Sequence, residues 1–349
     1  MPDYQPPFRI TDRVINTVAA ISELLGQWSG AAKTALTPTL RRGNRIRTIQ
    51  ASLAIEHNTL SVEQVTAVLE GKRVLGLPRE IQEVRNAFAT YDQLERYDPC
   101  NFDDLLHAHR QLMHGLIDDA GALRSGGVGI YREQQLVHMA PPASQLHRLM
   151  TSLLHWLQHT DAHPLVASCV FHYEFEFIHP FSDGNGRMGR LWQTLILSRW
   201  RPVMSYVPVE TVIHQQQDQY YEALAQADRA SDATPFLEFM LRALHTALLT
   251  MHHDTHSDPV DDPVSDQVER LLRTLASHKG EAKKGLGSEA LMQALGLKHK
   301  PTLRKNYLAP AMAQGWVVMT APDSPNSPQQ RYRLTEAGRQ WCQQHKRRS

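Results

Sequence analysis

Twelve consecutive residues, His179-Pro180-Phe181-Ser182-Asp183-Gly184-Asn185-Gly186-Arg187-Met188-Gly189-Arg190, hold a base, a hard oxygen ligand, two small turn residues and two cations. Gly184 and Gly186 free the backbone to turn so that successive N–H groups converge on one point. A helix starting there adds its positive end, and the two together make an anion site suited to phosphate. Asp183 offers the single carboxylate that Mg²⁺ accepts alongside phosphate oxygens and water. Arg187 and Arg190 lie three apart, so both fall on one face of a first helical turn and each can fork onto phosphate oxygens. His179, four residues before the carboxylate, titrates near neutrality and can take a proton from an attacking hydroxyl. A plain Gly/Asn loop with solvent-facing arginines requires none of these groups in company with the others.

The flanking elements must deliver this stretch as a loop entering a helix. Before it runs an aromatic-rich helical segment, Phe171 to Ile178. After it, Leu191 and Leu195 have the i, i+4 spacing of a buried helix.

At every specified position the stretch matches the signature of the Fic family, His-x-Phe-x-Asp/Glu-Gly-Asn-Gly-Arg-x-x-Arg, and the chain resembles that family over roughly Pro7 to Met251. The resemblance implies a mainly α fold: a Fic-type helical bundle with a short β-hairpin flap, which transfers AMP from ATP to a Ser, Thr or Tyr hydroxyl of a protein, the chain itself included. It implies His179 as general base, Asp183 as Mg²⁺ ligand, Gly184, Asn185 and Gly186 as anion hole, Arg187 and Arg190 as phosphate clamps, and Phe181 as a core anchor. Relatives of the Doc type, which move a phosphate, usually carry Lys where this chain has Gly186, which favours nucleotidyl transfer. Tyr221 aligns with a tyrosine that borders adenine in relatives, and Asp228 stands where some of them have Asn. The segment Ser125 to Pro142 reads as a hairpin. It resembles the Fic flap, whose edge, with Ile130, Tyr131, Val137 and His138, would hold a target by strand addition. The resemblance also makes a homodimer the expected assembly.

Ser52 and Glu56 are four apart in Ser52-Leu53-Ala54-Ile55-Glu56 and share one helical face. The segment resembles the Fic inhibitory helix, Ser/Thr-x-x-x-Glu-Gly/Asn, although His57 follows the Glu and Asn58 comes only next. The resemblance implies that Glu56 pairs with Arg187 and obstructs the γ-phosphate, leaving a slow resting enzyme. Two other functions use the same residues. One is a hydrolase that removes AMP, with Glu56 orienting water; the other is a DNA-binding regulator whose Fic part senses nucleotide.

The chain has 349 residues, 42% hydrophobic and 21% charged, with no apolar run of membrane-spanning length and no basic-then-apolar start. A cytoplasmic protein without membrane contact is the expectation. Cys100, Cys169 and Cys342 are odd in number and widely spaced, indicating neither a disulfide framework nor a zinc site. The net charge of +1 conceals an asymmetry: residues 264–349 carry 15 Lys and Arg against six Asp and Glu, a net of +9 that leaves −8 for the rest. The expected domains are 1–100, an N-terminal helical region with the inhibitory helix; 101–251, the catalytic core; 252–263, a polar, Pro-bounded linker; and 264–349, a basic module.

Within the first region, Met1 to Pro7 is expected as a surface arm, Thr11 as the cap of a helix to about Leu25, and Ile49 to Ile55 as a short helix. Arg41, Arg42, Arg45 and Arg47 would precede that helix on a solvated face or a nucleic-acid patch. Ser61 and Gln64 form a capping box, and helices follow over Glu80 to Tyr97 and, capped by Asn101, over Phe102 to Leu116. The basic module has the order of a winged helix-turn-helix. Helices over Val268 to Leu275, Ser288 to Leu295 and Pro301 to Ala313 precede strands over Trp316 to Met319 and Arg331 to Leu334, with a wing over Pro322 to Pro328. Lys300, Arg304 and Lys305 near the third helix suit DNA phosphates, and the same fold also serves for protein contact.

Overall fold

A computed structural model describes residues 4–30, 38–132, 135–256, 266–277, 285–297, 299–321, 327 and 330–344. The chain divides into two compact units, Met1–His256 and Ser257–Ser349. It is mainly α, and no helix among the described residues is long and apolar enough to cross a membrane.

The first unit is built on two consecutive helices, α7 (Pro164–Ile178) and α8 (Asn185–Trp200). Before them come α1 (Asp12–Gly30), α2 (Pro38–Ile55), α3 (Val62–Leu69), α4 (Pro78–Asp92), α5 (Phe102–Leu112), strands β1 (Gly129–Arg132) and β2 (Gln135–Met139), and α6 (Leu146–His159). After them come α9 (Val209–Gln215), α10 (Gln217–Ala230) and α11 (Thr234–His256). Helix α7 is apolar nearly all round, the pattern of a helix enclosed by others, and its residues 165–175 are all buried. Pro164 opens it where a missing N–H costs nothing, and the His163 ring accepts from Leu165 N–H at 3.2 Å. Helix α8 is equally enclosed: Trp192, Leu191 and Leu195 have no exposed surface. Each such side chain contributes roughly 1.5–3 kcal/mol by leaving water. The loop between α7 and α8 is therefore held at both ends by deeply buried helices.

Residues 4–7 of the N-terminal arm lie at the surface, with Gln5 and Pro7 exposed, and are tied down there. Pro6 is buried, Ala233 N–H donates to the Pro7 carbonyl at 2.7 Å, and the Tyr4 hydroxyl bonds Glu174. Thr11 caps α1, accepting from Val14 N–H at 3.2 Å, and α1 continues to Gly30. Helix α2 begins at Pro38, not near Ile49, so the four arginines lie inside it. Arg41, Arg42 and Arg47 are exposed, as a solvated face requires, while Arg45 packs inward, donating to the Tyr91 carbonyl at 3.2 Å and lying over the Tyr91 and Tyr206 rings. The Ser61–Gln64 capping box is present. Helix α4 stops at Asp92, short of Tyr97, because a separate 3₁₀ turn spans Leu94–Arg96. Asn101 caps α5, which ends at Leu112, short of Leu116. Strands β1 and β2 pair antiparallel, Gly129 opposite Met139, with a bulge between Ile130 and Tyr131. Helix α11 runs on through His256, so the expected linker does not begin at His252, and residues 257–263 lie outside the described ones.

In the second unit, α12 (Asp266–Ser277), α13 (Ser288–Leu295) and a third helix appear, the last as α14 (Lys300–Leu303), a π turn over Arg304–Leu308, and α15 (Ala309–Ala313). The π turn accommodates Pro310, which has no N–H for the regular ladder and would crowd the preceding turn. Gly296 ends α13 at φ +70°. Strands β3 (Leu286–Gly287), β4 (Val317–Met319) and β5 (Arg331–Leu334) form an antiparallel sheet in the order β3-β5-β4, and α16 (Glu336–Gln344) follows. Leu271, Leu272, Leu291, Leu303 and Val317 share its core. The expected strands at Trp316 to Met319 and Arg331 to Leu334 are present from Val317; β3 and α16, too short or too polar to stand out, were not expected. Of the anticipated wing only Ser327 is among the described residues.

Candidate active site

The twelve-residue stretch forms the end of α7, a five-residue loop and the first turn and a half of α8. His179 is the C-cap of α7 in the left-handed region, φ +50° and ψ +61°, a conformation uncommon for a residue with a Cβ. Its N–H still donates to the Phe175 carbonyl at 2.9 Å, so the imidazole leaves the helix at its end rather than along its side. Gly184, φ +84°, is the N-cap of α8, and a Cβ there would meet the Met113 sulfur at 2.7 Å. The first helical bond of α8 runs from Met188 N–H to the Gly184 carbonyl at 2.9 Å. The N–H groups of Asn185, Gly186 and Arg187 thus precede the ladder and form the anion-binding end of the helix.

The loop is held from inside. Phe181 is buried and stacks on His109 with ring centroids 3.6 Å apart. The Asn185 side chain braces the Phe181 backbone twice, accepting from its N–H at 2.9 Å and donating to its carbonyl at 2.8 Å. What Asn185 can offer an anion is therefore its backbone N–H, not its amide side chain. Gly121 N–H donates to His109 Nδ1 at 2.9 Å, which leaves the proton on Nε2 to donate to the Asp183 carbonyl at 3.0 Å. Burial lowers the His109 pKa to about 4, so the ring is neutral near pH 7. His109 shares the apolar face of α5 with Leu105 and Leu112, a spacing that reads as ordinary core.

Both arginines are held by carboxylates. Arg190, only 1% exposed, donates from Nε to Ser52 Oγ at 3.1 Å, and from Nη2 to the Ser52 carbonyl at 3.0 Å and to Glu56 Oε1 at 2.8 Å. Burial, the largest single influence, lowers the guanidinium's pKa; the charge and hydrogen bond of Glu56 together with Tyr220 and Glu176 outweigh it, and the net shift is upward. The expected pair of Glu56 with Arg187 is thus corrected: the partner is Arg190. The end of α2 sets this choice. It places Ser52 and Glu56 on one face, and both reach the same guanidinium one helical turn inside α8. Arg187 instead donates to Asp183 Oδ1 at 3.0 Å and to Glu83 Oε1 at 3.4 Å. Arg79, also on α4, reaches Asp183 Oδ2 at 3.3 Å.

The Glu56 carboxylate lies against Gly186, where a Cβ would collide with Oε1 and come within 3.1 Å of Arg190 Nη1. A negative group therefore already occupies the mouth of the anion site. Glu56 is carried there by a turn that closes α2, with Glu56 N–H on the Leu53 carbonyl and His57 N–H on the Ala54 carbonyl, both at 3.0 Å. His57 has φ +67°. That left-handed position explains why Gly or Asn suits it better than His. Asn58, buried, donates to Glu83 Oε2 at 2.8 Å and so ties the end of α2 to α4.

Tyr221 is half-buried on α10; burial first, then the Glu56 charge, raises its pKa, which places it in the electrostatic reach of the same site. Gln217, a turn earlier, donates to the Ile55 carbonyl at 3.0 Å. Asp228 is turned toward the core and accepts the Tyr173 hydroxyl at 2.9 Å. The backbone of the hairpin is paired, while the side chains of Ile130, Tyr131, Val137 and His138 lie outside those described. Three residues the sequence did not single out complete the site: His109, Glu83 and Arg124. Arg124, which directly precedes Ser125-Gly126-Gly127, donates to the His179 carbonyl at 2.7 Å.

Among the described residues no three or more His, Cys, Asp or Glu side chains gather as a metal cage. Asp183, with 41% of its side chain exposed, is an accessible carboxylate beside an anion site, which fits Mg²⁺ held jointly with phosphate oxygens and water.

Known proteins agree with this geometry. The Fic/DOC family profile matches residues 99–197, and that of the Fic-like C-terminal domain, filamentation induced by cAMP protein, matches 266–335. The chain is 30% identical over 210 residues to a protein adenylyltransferase Fic of Nematostella vectensis, covering 56% of this chain and 45% of that one. To protein adenylyltransferase fic-1 of Caenorhabditis elegans it is 31% identical over 206 residues, 55% of this chain and 38% of the other. The chain thus spans less than half the length of these curated relatives. A solved structure of Fic-1 (residues 134–508) from C. elegans, 23% identical, shares the fold with a TM-score of 0.57 over 68% of this chain and 71% of that one. The crystal structure of a Fic family protein from Desulfovibrio desulfuricans G20 is 60% identical, with a TM-score of 0.73 over 95% of this chain and 99% of that one. With identity of that order over almost the full length of both chains, and the loop, its helix and its arginines in place, this chain belongs to the Fic family.

Proposed function

We propose that the chain is a protein adenylyltransferase, restrained in its resting state by its own N-terminal helices. The observation that carries this reading is the position of Glu56: a carboxylate bound to Arg190 and seated against Gly186 occupies the place that the anion site offers to a phosphate. The curated relatives' names support the reaction class.

In the reaction, His179 takes the proton of a target hydroxyl, whose oxygen attacks the α-phosphorus of ATP. The bond to the α–β bridging oxygen breaks and pyrophosphate leaves. The N–H groups at the start of α8 meet the charge that develops on the phosphoryl oxygens. Arg187 and Arg190 hold the outer phosphates once their carboxylate partners have let go. Mg²⁺, held by Asp183, would neutralise phosphate charge. Tyr221 lines the base side of the site, and the exposed edge of the β1–β2 hairpin aligns the target by main-chain pairing. Glu56 on Arg190 and Glu83 on Arg187 are two contacts that a triphosphate must displace. In the second unit, the order of helices and strands supports reading the basic module, 264–349, as a winged helix-turn-helix that contacts DNA or protein. A homodimer and a cytoplasmic setting complete the reading.

The same groups run in reverse if Glu56 orients water to release AMP from a modified protein. Labelling separates the readings: the Glu56→Gly variant is incubated with α-³²P or γ-³²P ATP and Mg²⁺. Adenylyl transfer puts label on protein from the α-labelled nucleotide alone. Label from the γ-position would mean phosphoryl transfer, and release of AMP that needs Glu56 would mean hydrolysis.

A further inference from the structure

Arg124 is a guanidinium buried to 3% exposure, and its hydrogen bonds converge on main-chain carbonyls of separate segments. Nε donates to the His179 carbonyl at 2.7 Å, and Nη2 reaches the Ile178 carbonyl at 3.4 Å. Its own backbone N–H donates to the Pro180 carbonyl at 3.0 Å. On the other side, Nη1 donates to the Gly126 carbonyl and Nη2 to the Pro141 carbonyl, both at 2.6 Å. Gly126 and Pro141 flank the hairpin, one before β1 and one after β2, and Ala140 N–H closes its base on the Val128 carbonyl at 3.2 Å. One side chain therefore spans both feet of the flap and the turn that carries His179.

A buried charge is costly, and neutral donors could brace a loop at less cost. A planar fork with five fixed donors does what they cannot: it ties three segments at fixed distances and angles. The carbonyls at the end of α7 also form the negative pole of that helix, which favours a cation there. Phe181 and Asn185 hold the catalytic loop from its core side and Arg79 and Arg187 hold Asp183; among the described hydrogen bonds, those of Arg124 join the loop to the feet of the flap.

We infer that Arg124 is a positioning residue that fixes the flap edge relative to the His179 imidazole, so that a hydroxyl on a segment paired with the flap arrives within reach of the base. This rests on the adenylyl-transfer reading above. Geometry of this kind governs the rate of transfer to the acceptor and leaves nucleotide binding alone, because the arginine clamps and the anion site are reached from α2, α4 and α8.

The test uses the full chain in a Glu56→Gly background, with a His179→Ala copy of the chain as acceptor in trans. In Arg124→Lys, which keeps the charge and loses the fork, kcat/KM for the acceptor should fall on the order of 100-fold while KM for ATP stays within about twofold. In the same variant, amide hydrogen exchange at Ala140 should speed up at least about tenfold relative to amides inside α8, which report global opening. An unchanged kcat/KM, an equal loss in ATP binding, or loss of the folded state would each overturn the inference. Failure of the Glu56→Gly parent to label the acceptor would instead refute adenylyl transfer, and the hydrogen-exchange arm would still decide whether Arg124 couples flap to loop.

Discussion

The loop and its cationic face are held in opposite ways. The loop, His179 to Gly184, is fixed by contacts that nothing in catalysis would break: Phe181 stacked on His109, Asn185 folded back on Phe181, Arg124 on the His179 carbonyl. The cationic face, Arg187 and Arg190, is held by Glu83 and Glu56, acids in the place where a triphosphate would bind. Contacts of the first kind preorganise the site, and contacts of the second kind compete with its ligand. Substitutions in the two regions should therefore have opposite signs.

The largest loss is expected at His109. His109→Ala removes a buried, stacked ring and should lower unfolding free energy by about 3 kcal/mol, measured by denaturant titration. The pH dependence has a definite sign. Because burial depresses the folded pKa to about 4 from 6.5, the contribution of neutral His109 is present above pH 6.5 and is lost as pH falls toward 4. It amounts to roughly 3 kcal/mol at most. Glu174 and Glu210, raised by burial to about 7, act in the opposite direction, so the effect is read as the difference between wild type and His109→Gln. A difference independent of pH would mean that His109 does not hold the loop as a neutral ring.

The largest gain is expected at Glu56. Glu56→Gly removes a charge-assisted hydrogen bond from Arg190 and should raise AMP labelling roughly tenfold to 100-fold. An unchanged rate would place the restraint elsewhere. Glu83→Gln, which weakens the 3.4 Å contact to Arg187 while its amide oxygen can still accept from Asn58, should give a smaller gain of about threefold. An effect as large as that of Glu56→Gly would make the two clamps equal. The smallest change is expected at His57, whose φ of +67° suits glycine. His57→Gly should stabilise the chain by about 1 kcal/mol and tighten the turn that presents Glu56, lowering residual labelling. Loss of stability would show that His57 holds its position by a contact rather than tolerating strain.

This contrast also explains what the sequence disclosed. The loop was legible because its chemistry is contiguous: a base, a carboxylate, turn glycines and two arginines within one run. The pair Ser52 and Glu56 was legible as one helical face, yet the choice between Arg187 and Arg190 depends on how α2 meets α8, which local spacing does not carry. His109 reads as one more residue on the buried side of α5, and Glu83 as the i+4 partner of Arg79 on α4. Arg124 stands beside a glycine-rich turn with no pattern to mark it, because its partners are carbonyls, which have no signature in side-chain identity. Helices with strong periodicity, such as α12 and α13, fell where expected to within two residues at each end. The start of α2 was obscured by its arginines, and the end of α11 by a run of histidines that reads as polar linker.

The most direct measurement is intact mass after incubation with ATP and Mg²⁺ for wild type, Glu56→Gly and Glu56→Gly/His179→Ala. An adduct of one or more AMP on Glu56→Gly, scarce on wild type and absent from the double variant, is the expected result. It would establish both the His179-dependent transfer and its restraint by Glu56. An adduct that survives removal of His179, or appears equally on wild type, would contradict the central claim that His179 drives transfer and Glu56 holds the phosphate site closed.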